Sequence, residues 1–274
     1  MNSFMDDYIA KLRGIEQEGD IKDLYRWFWD RPEQIQSTVE EINRTLSLSG
    51  EVQLQPDMPC LAIGGLKGVL LVNANPGWRE DLNHLEDSYC RRSKDAYIDL
   101  MLNFFERHPE VVGERVTWWN SALSWVRLLD DWELRFGALD GKKKWAKAHQ
   151  SKLVGGWELV PFHSSKDGVS GLMGKAPWLR TCAIESLRAA IRIGPEVLFV
   201  VSKKGWQFVR FDVLPEARWQ DGTVGSGRME TNISYAKVGR QTEIIAIGRQ
   251  IFSAPRNFTN QDVLSRVNEF RDEA

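Results

Sequence analysis

Four short, largely apolar runs constrain the fold of this chain more than any other feature. They cover residues 68–72, 157–162, 197–201 and 243–247, and each ends in a polar or glycine-bearing turn. A continuous apolar run is typical of a strand that is buried on both faces, as in parallel sheets, because a strand with one wet face alternates polar and apolar residues. The runs therefore predict a central parallel sheet of about four strands.

Segments with helical signals lie between and after these runs. We predict helices over 95–107, 117–134 and 176–193, and a last one over about 259–270 with Thr259 as its N-cap. Strands that alternate with helices favour a three-layer α/β/α architecture. The glycine-rich, polar segment 215–242 is expected to be a long loop or a hairpin. The whole chain, 1–274, is expected to form one α/β domain.

The first fifty residues have a different pattern. Met5, Tyr8, Ile9 and Leu12 recur at helical spacing, and a second apolar set follows Pro32, a residue type that is frequent at helix starts. Residues 1–50 are therefore predicted to be an N-terminal helical extension that packs on the α/β domain.

Composition excludes several classes of protein. The chain has 36 basic and 38 acidic residues and a net charge of -2, so it is not a polycation, although a local basic face could still bind nucleic acid. Its three cysteines form no CxxC pair, which argues against a zinc ribbon or an iron–sulfur cluster. No apolar run approaches the roughly 18–20 residues of a membrane span. We expect a cytoplasmic protein that needs no metal or cofactor.

Polar residues follow the apolar runs, where ligands bind in open parallel sheets. The candidates are Asn73, Asn75, Pro76, Gly77 and Trp78 after the first run, His163, Ser164 and Lys166 after the second, Lys203 after the third, and Arg256 and Asn257 after the fourth.

The turn after the first run is the most specific of these signals. Pro76 lacks an N–H and fixes φ, so the strand cannot continue, and Gly77 permits a positive φ or a close backbone approach. Such a turn holds Asn75 rigidly at the strand tip, where its amide can both donate to and accept from a water or a base edge. The alternative is an ordinary Asn-Pro-Gly turn without a function.

A strand followed by Asn75-Pro76-Gly77 resembles the first motif of the uracil-DNA glycosylase superfamily, in the form of its mismatch-specific branch. The resemblance implies a four-stranded parallel sheet between helices. It also implies that Asn75 positions the attacking water and that Trp78 stacks on a base flipped out of DNA.

The later motifs of that family fall on other candidates. The residue that ends the second strand reads the base edge in the family, which places that role on or near His163. The last motif holds DNA phosphate and the leaving group, and it corresponds to 252–258, with Arg256 and Asn257. The motif lacks a histidine here, and the second strand ends in Pro-Phe-His-Ser, so we expect a modified or mismatched base as the substrate.

The predicted chemistry is hydrolysis of an N-glycosidic bond in DNA. Asn75 would orient the water, His163 would donate to the leaving base, and Arg256 would bind a phosphate. Glu158 lies in an apolar run and is either a buried, paired carboxylate or a catalytic one. The cellular role expected for such an enzyme is repair or anti-phage defence.

Two other functions fit parts of this pattern. A non-catalytic nucleic-acid or nucleotide-binding module could use the same pocket without cleaving a bond. A DNA amino-methyltransferase carries a similar Asn-Pro turn after a strand, and Asn75-Pro76-Gly77-Trp78 comes close to it. The methyltransferase ranks lower because no glycine-rich cofactor loop follows an earlier strand.

Overall fold

The structure is a computed structural model that describes residues 3–74, 86–107, 123–130, 132–136, 152–164, 176–225, 230–239, 242–248 and 260–273. The α-helices of these residues are α1 (Ser3–Arg13), α2 (Glu18–Trp29), α3 (Pro32–Thr45), α4 (Lys94–Arg107), α5 (Trp132–Phe136), α6 (Pro177–Ile193), α7 (Lys203–Phe208) and α8 (Asn260–Glu273). The strands are β1 (Ala62–Gly64), β2 (Val69–Asn73), β3 (Val154–Glu158), β4 (Val197–Val201), β5 (Gln220–Val224), β6 (Thr231–Val238) and β7 (Thr242–Ile247).

The strands form a seven-stranded mixed sheet in the order β1-β3-β2-β4-β7-β6-β5. β2 pairs with β4 and β4 with β7 in parallel, whereas β5, β6 and β7 pair in antiparallel fashion. The α/β prediction is confirmed, but the sheet is larger than the expected four strands. β1 has only three residues, and β5 alternates between half-buried and exposed positions, so neither of these missed strands carries an apolar run.

Hydrogen bonds give the direction of β3 relative to its neighbours. Val69 N donates to Leu153 O at 2.8 Å and Leu159 N donates to Asn73 O at 3.0 Å, so β3 runs parallel to β2. Cys60 N donates to Pro161 O, Glu158 N donates to Leu61 O at 2.7 Å, and Gly65 N donates to Val154 O. The partners on the β3 side come earlier in the chain as those on the β1 side come later, so β1 is antiparallel to β3.

Two predicted elements have different bounds in the structure. The strand predicted over 157–162 begins at Val154 and ends at Glu158. The prediction started the strand too late because Gly155 and Gly156, which are typical of turns, lie within it. The single helix predicted over 117–134 is wrong for its described part. The structure has two shorter elements in this segment, a 3-10 helix over Leu123–Leu128 and then α5. Asp130, a poor residue for a helix interior, lies between them.

The chain divides into two compact units, the first of which contains residues 1–63, 73–111 and 157–193. α1, α2 and α3 confirm the predicted N-terminal helical region. Their shared core is aromatic, and the rings of Phe4 and Trp27 stack with centroids 4.7 Å apart. Arg192 of α6 donates to the carbonyl oxygens of Leu12 at 2.6 Å and Ile15 at 2.8 Å, so it satisfies acceptors at the end of α1.

The second unit contains residues 64–72, 112–156 and 194–274. Within it, β2 and β4 are buried along almost their whole length, and Trp125 packs on Phe199 of β4 with ring centroids 4.6 Å apart. β5 and β6 form an antiparallel hairpin, which confirms the hairpin alternative for 215–242. A Cβ on Gly65 would lie 1.9 Å from the carbonyl oxygen of Lys152, so the close approach of these two segments requires glycine.

The prediction that these units together make one domain stays a prediction. No helix in the described part of the chain is long and apolar enough to cross a bilayer.

Candidate functional site

The site is built where β2 and β3 end. Asn73 is the last residue of β2, and its side-chain Nδ2 donates to Oε1 of Glu158, the last residue of β3, at 3.1 Å. The backbones are joined just beyond this pair, because Leu159 N donates to Asn73 O and Val160 N donates to Ala74 O, each at 3.0 Å. The amide and the carboxylate are therefore held side by side at the carboxyl ends of neighbouring parallel strands.

Glu158 is fixed from several directions. Glu158 is only 6% exposed, and its backbone carbonyl accepts a hydrogen bond from the Ser186 hydroxyl at 3.0 Å. Ser186 Oγ in turn accepts from the indole Nε1 of Trp157 at 2.9 Å. A fixed backbone and a buried neighbouring indole limit the positions that the carboxylate can take.

A buried carboxylate must receive hydrogen bonds, since desolvation disfavours its charged form. The Asn73 amide supplies one such bond. Asn73 itself is half-buried, so this pair extends from the interior toward the strand tip. An oriented carboxylate beside an amide is suited to holding a water molecule or to stabilising positive charge that develops on a substrate.

Glu158 also influences the pKa of Tyr25, which lies in the same unit. Burial raises the pKa of Tyr25 well above its ordinary value, and the nearby Cys60 and Glu158 groups raise it further. Tyr25 therefore stays protonated, and its hydroxyl donates to the carbonyl oxygen of Ala62 and accepts from Ala62 N. These two bonds attach α2 to β1 at Ala62, next to Leu61, whose carbonyl oxygen accepts from Glu158 N.

His163 and Ser164 follow β3 in the same unit. Both are buried, at 2% and 1% exposure. The backbone carbonyl of His163 accepts from Gln55 N at 2.9 Å, and the two residues form an isolated antiparallel bridge. His163 is thus five residues beyond the end of β3, and Glu158 occupies the strand-end position that the sequence assigned to the histidine.

The remaining candidates divide into two groups. Lys203 is exposed at the start of α7 and belongs to the second unit, where its surroundings are described below. The others lie outside the described residues, and they are Asn75, Pro76, Gly77, Trp78, Lys166, Arg256 and Asn257.

Two residues that support the site were missed in the sequence. Ser186 gave a usable signal, because it is a polar residue on the otherwise apolar face that α6 forms with Leu179, Cys182 and Ala190. A hydroxyl on such a face indicates a buried hydrogen bond. Gln55 gave no signal, because it lies in an irregular segment, 108 residues before its partner His163 in the chain.

The second unit contains a separate cavity of about 580 Å³, lined by Lys67, Asp130, Glu196, Lys237, Glu243 and Arg271 among others. None of the predicted site residues lines it. Its acidic groups are paired, since Arg271 binds Glu243 and Asp130, and Arg135 binds Glu196. Among the described residues no group of three or more His, Cys, Asp or Glu side chains is arranged to hold a metal ion.

Comparisons with protein-family models, with curated proteins and with solved structures give no match for this chain.

Proposed function

We propose that this protein is a DNA glycosylase that hydrolyses the N-glycosidic bond of a modified or mismatched base flipped out of DNA. The observation that carries the proposal is the contact between Asn73 and Glu158 at the ends of β2 and β3, at 3.1 Å. Asn73 lies two residues before Asn75 of Asn75-Pro76-Gly77, the turn in which the sequence predicts the water-positioning residue.

The reaction determines which groups are needed. Cleavage leaves positive charge on the sugar and negative charge on the departing base, so catalysis requires an oriented water, an anion near the sugar and a donor near the base. In the proposal Asn75 orients the water, and Glu158 supplies the negative charge that stabilises the sugar cation. Asn73 keeps the carboxylate in place, and His163 donates to the leaving base.

Recognition uses the other candidates. A flipped base needs a stacking wall and edge contacts, which the proposal assigns to Trp78 and to Ser164. Lys166, Arg256 and Asn257 would bind the DNA backbone, since cations and amides are the usual phosphate partners. Repair or anti-phage defence is the proposed cellular context.

The test uses duplex and single-stranded oligonucleotides that each carry one modified or mismatched base. The purified protein is incubated with each substrate, and heating in alkali then converts abasic sites into strand breaks. We expect breaks with the wild-type protein on at least one substrate. Asn75→Ala and Glu158→Gln are each expected to lower the rate by about 100-fold or more, because each removes a group needed in the transition state.

Asn232→Ala is the matched control, because this asparagine is exposed on β6 in the second unit. It should cleave at the wild-type rate. DNA binding without breaks on any substrate would favour the non-catalytic module. Methyl transfer from a methyl-donor nucleoside would favour the methyltransferase, and either result would overturn the glycosylase proposal.

A further inference from the structure

An arginine surrounded by aromatic rings marks a second surface, within the second unit. The guanidinium carbon of Arg210 lies 4.9 Å from the ring centroid of Trp206 and 5.5 Å from those of Phe211 and Trp219. The rings of Trp206 and Phe211 meet edge to face, with centroids 6.3 Å apart. We call Trp206, Arg210, Phe211 and Trp219 the Arg210 cluster.

The polar ends of this cluster are fixed on the β5–β6 hairpin. Trp206 Nε1 donates to Ser234 Oγ at 2.8 Å, and Ser234 Oγ donates to Asp221 Oδ1 at 2.6 Å. Arg210 Nη2 completes the network by donating to Asp221 Oδ2 at 2.8 Å. Asp221 and Ser234 are directly paired across the two strands. The Trp206 ring and the Arg210 guanidinium are therefore preorganised, so little of their conformational entropy remains to be lost when they bind a partner.

The aromatic rings of the Arg210 cluster reach solvent. Phe211 is 63% exposed, and Leu134 is the other large apolar side chain with such exposure among the described residues. Trp206 and Trp219 are half-buried. Phe211 lies in the π-helical turn Val209–Val213 that continues α7, a type of irregularity that is frequent at functional sites. An aromatic residue with a core role alone would be buried, as the neighbouring Phe208 is.

Basic side chains border the cluster. Lys203 lies three residues before Trp206 in α7, so helical geometry places these two side chains on the same face. Lys204 and Arg218 are exposed as well. Residues 202–221 contain four basic side chains and three acidic ones, so the segment is net positive in a chain whose net charge is -2. Asp221 and Arg210 form an ion pair, which removes one charge of each sign and leaves the net positive charge unchanged.

We propose that the Arg210 cluster, with Lys203 and Lys204, binds single-stranded nucleic acid. Exposed aromatic rings beside cations are the features that sequence-tolerant single-strand binding uses, since every base offers a face for stacking and every nucleotide a phosphate. A single strand therefore fits this surface better than an apolar peptide would. The inference goes beyond the proposed function, since it requires no cleavage.

The experiment measures fluorescence anisotropy of labelled oligothymidylate and oligouridylate of about twelve nucleotides. We expect Phe211→Ala to weaken binding about tenfold, because one stacked base is lost, and Phe211→Trp to retain it. Lys203→Ala should weaken binding and reduce its salt dependence. The two oligomers distinguish DNA from RNA as the natural strand. Neither contains a modified base, so the outcome is separate from that of the cleavage assay.

Leu134→Ala is the matched control, because it also removes an exposed large apolar side chain from the second unit. It should bind like the wild type. The proposal is overturned if neither oligomer binds, or if Phe211→Ala and Leu134→Ala bind equally well. It is also overturned if sedimentation velocity shows that Phe211→Ala dissociates a dimer, since the ring would then face a second copy of the chain.

Discussion

Two largely buried carboxylates on the sheet have contrasting surroundings. Glu243, near the start of β7, is bound by the guanidinium of Arg271 at 2.5 Å and by the hydroxyl of Tyr235 at 3.0 Å. Glu158, at the end of β3, accepts a hydrogen bond from the amide of Asn73 at 3.1 Å. A cation cancels a buried charge and makes it part of the framework, whereas an amide orients the charge and leaves it in place. We therefore expect Glu243 to stabilise the sheet, and the proposed function gives Glu158 the catalytic role.

The largest effect is expected where the ion pair is broken. Arg271→Met should lower the free energy of unfolding by about 3 kcal/mol, because it leaves Glu243 largely buried without its cation. Arg271 also donates to Leu128 O at 2.5 Å, and that bond is lost too. Urea unfolding followed by tryptophan fluorescence measures the change.

Arg135→Met is the control for that measurement. It breaks the pair of Arg135 with Glu196, whose side chains are 33% and 43% exposed. Solvent screens such a pair, so its loss should cost less than about 1 kcal/mol. Equal losses in the two variants would show that the Glu243 pair contributes no more than a surface pair does.

The next prediction compares the two glutamates directly. Glu158→Gln should change stability by less than about 1 kcal/mol, because glutamine keeps the oxygen that accepts from Asn73. Glu243→Gln should cost about 2 kcal/mol, because it removes the charge that Arg271 requires. Denaturant midpoints give the stability of each variant, and the alkali assay gives its activity. Glu243→Gln should keep the wild-type rate, while Glu158→Gln should lose it.

A reversed result would contradict the contrast. If Glu158→Gln loses more stability than Glu243→Gln and cleaves as fast as the wild type, then Glu158 belongs to the framework of the sheet. Asn73→Ala sharpens the comparison further. It leaves the carboxylate and removes only its orienting amide, so it should lower the cleavage rate less than Glu158→Gln does.

The sequence was sufficient for the inner strands and insufficient for the site. β2, β4 and β7 could be predicted because each is a continuous buried run, and burial on both faces leaves that pattern in a sequence. β1 and β5 left no such run, because they are short or partly exposed, and the β5–β6 hairpin was predicted only as an alternative to a long loop. The contact of Asn73 with Glu158 joins residues 85 positions apart, and its prediction depends on the register of two strands.

One mistaken boundary shows why that register was missed. Gly155 and Gly156 are typical of a turn, so the sequence favoured a strand that starts after them. In the structure both glycines lie within β3, and the strand ends at Glu158. A shift of three residues moves Glu158 from the second position of a strand to its last. A functional position can therefore be misassigned although the strand itself is predicted correctly.

The smallest expected effect concerns a thiol beside the site strand. Cys182 is fully buried, and its Sγ lies 4.0 Å from the carbonyl oxygen of Leu159, the residue after Glu158. Burial raises the pKa of this thiol from 9.0 to about 12. Because the thiolate is the reactive form, we expect almost no labelling of native Cys182 by a thiol reagent at pH 8. A variant with Cys60→Ala and Cys90→Ala isolates this signal.

The pH dependence has a definite sign. The folded pKa lies above the unfolded one, so the stability that Cys182 contributes is complete below pH 9 and is lost as the pH rises from about 9 to about 12. At pH 8, labelling should require unfolding and should accelerate with urea in parallel with the unfolding equilibrium. Labelling that is fast and independent of urea would show that the segment after Glu158 opens locally. A carboxylate on such a segment would not be held as rigidly as the contrast with Glu243 requires.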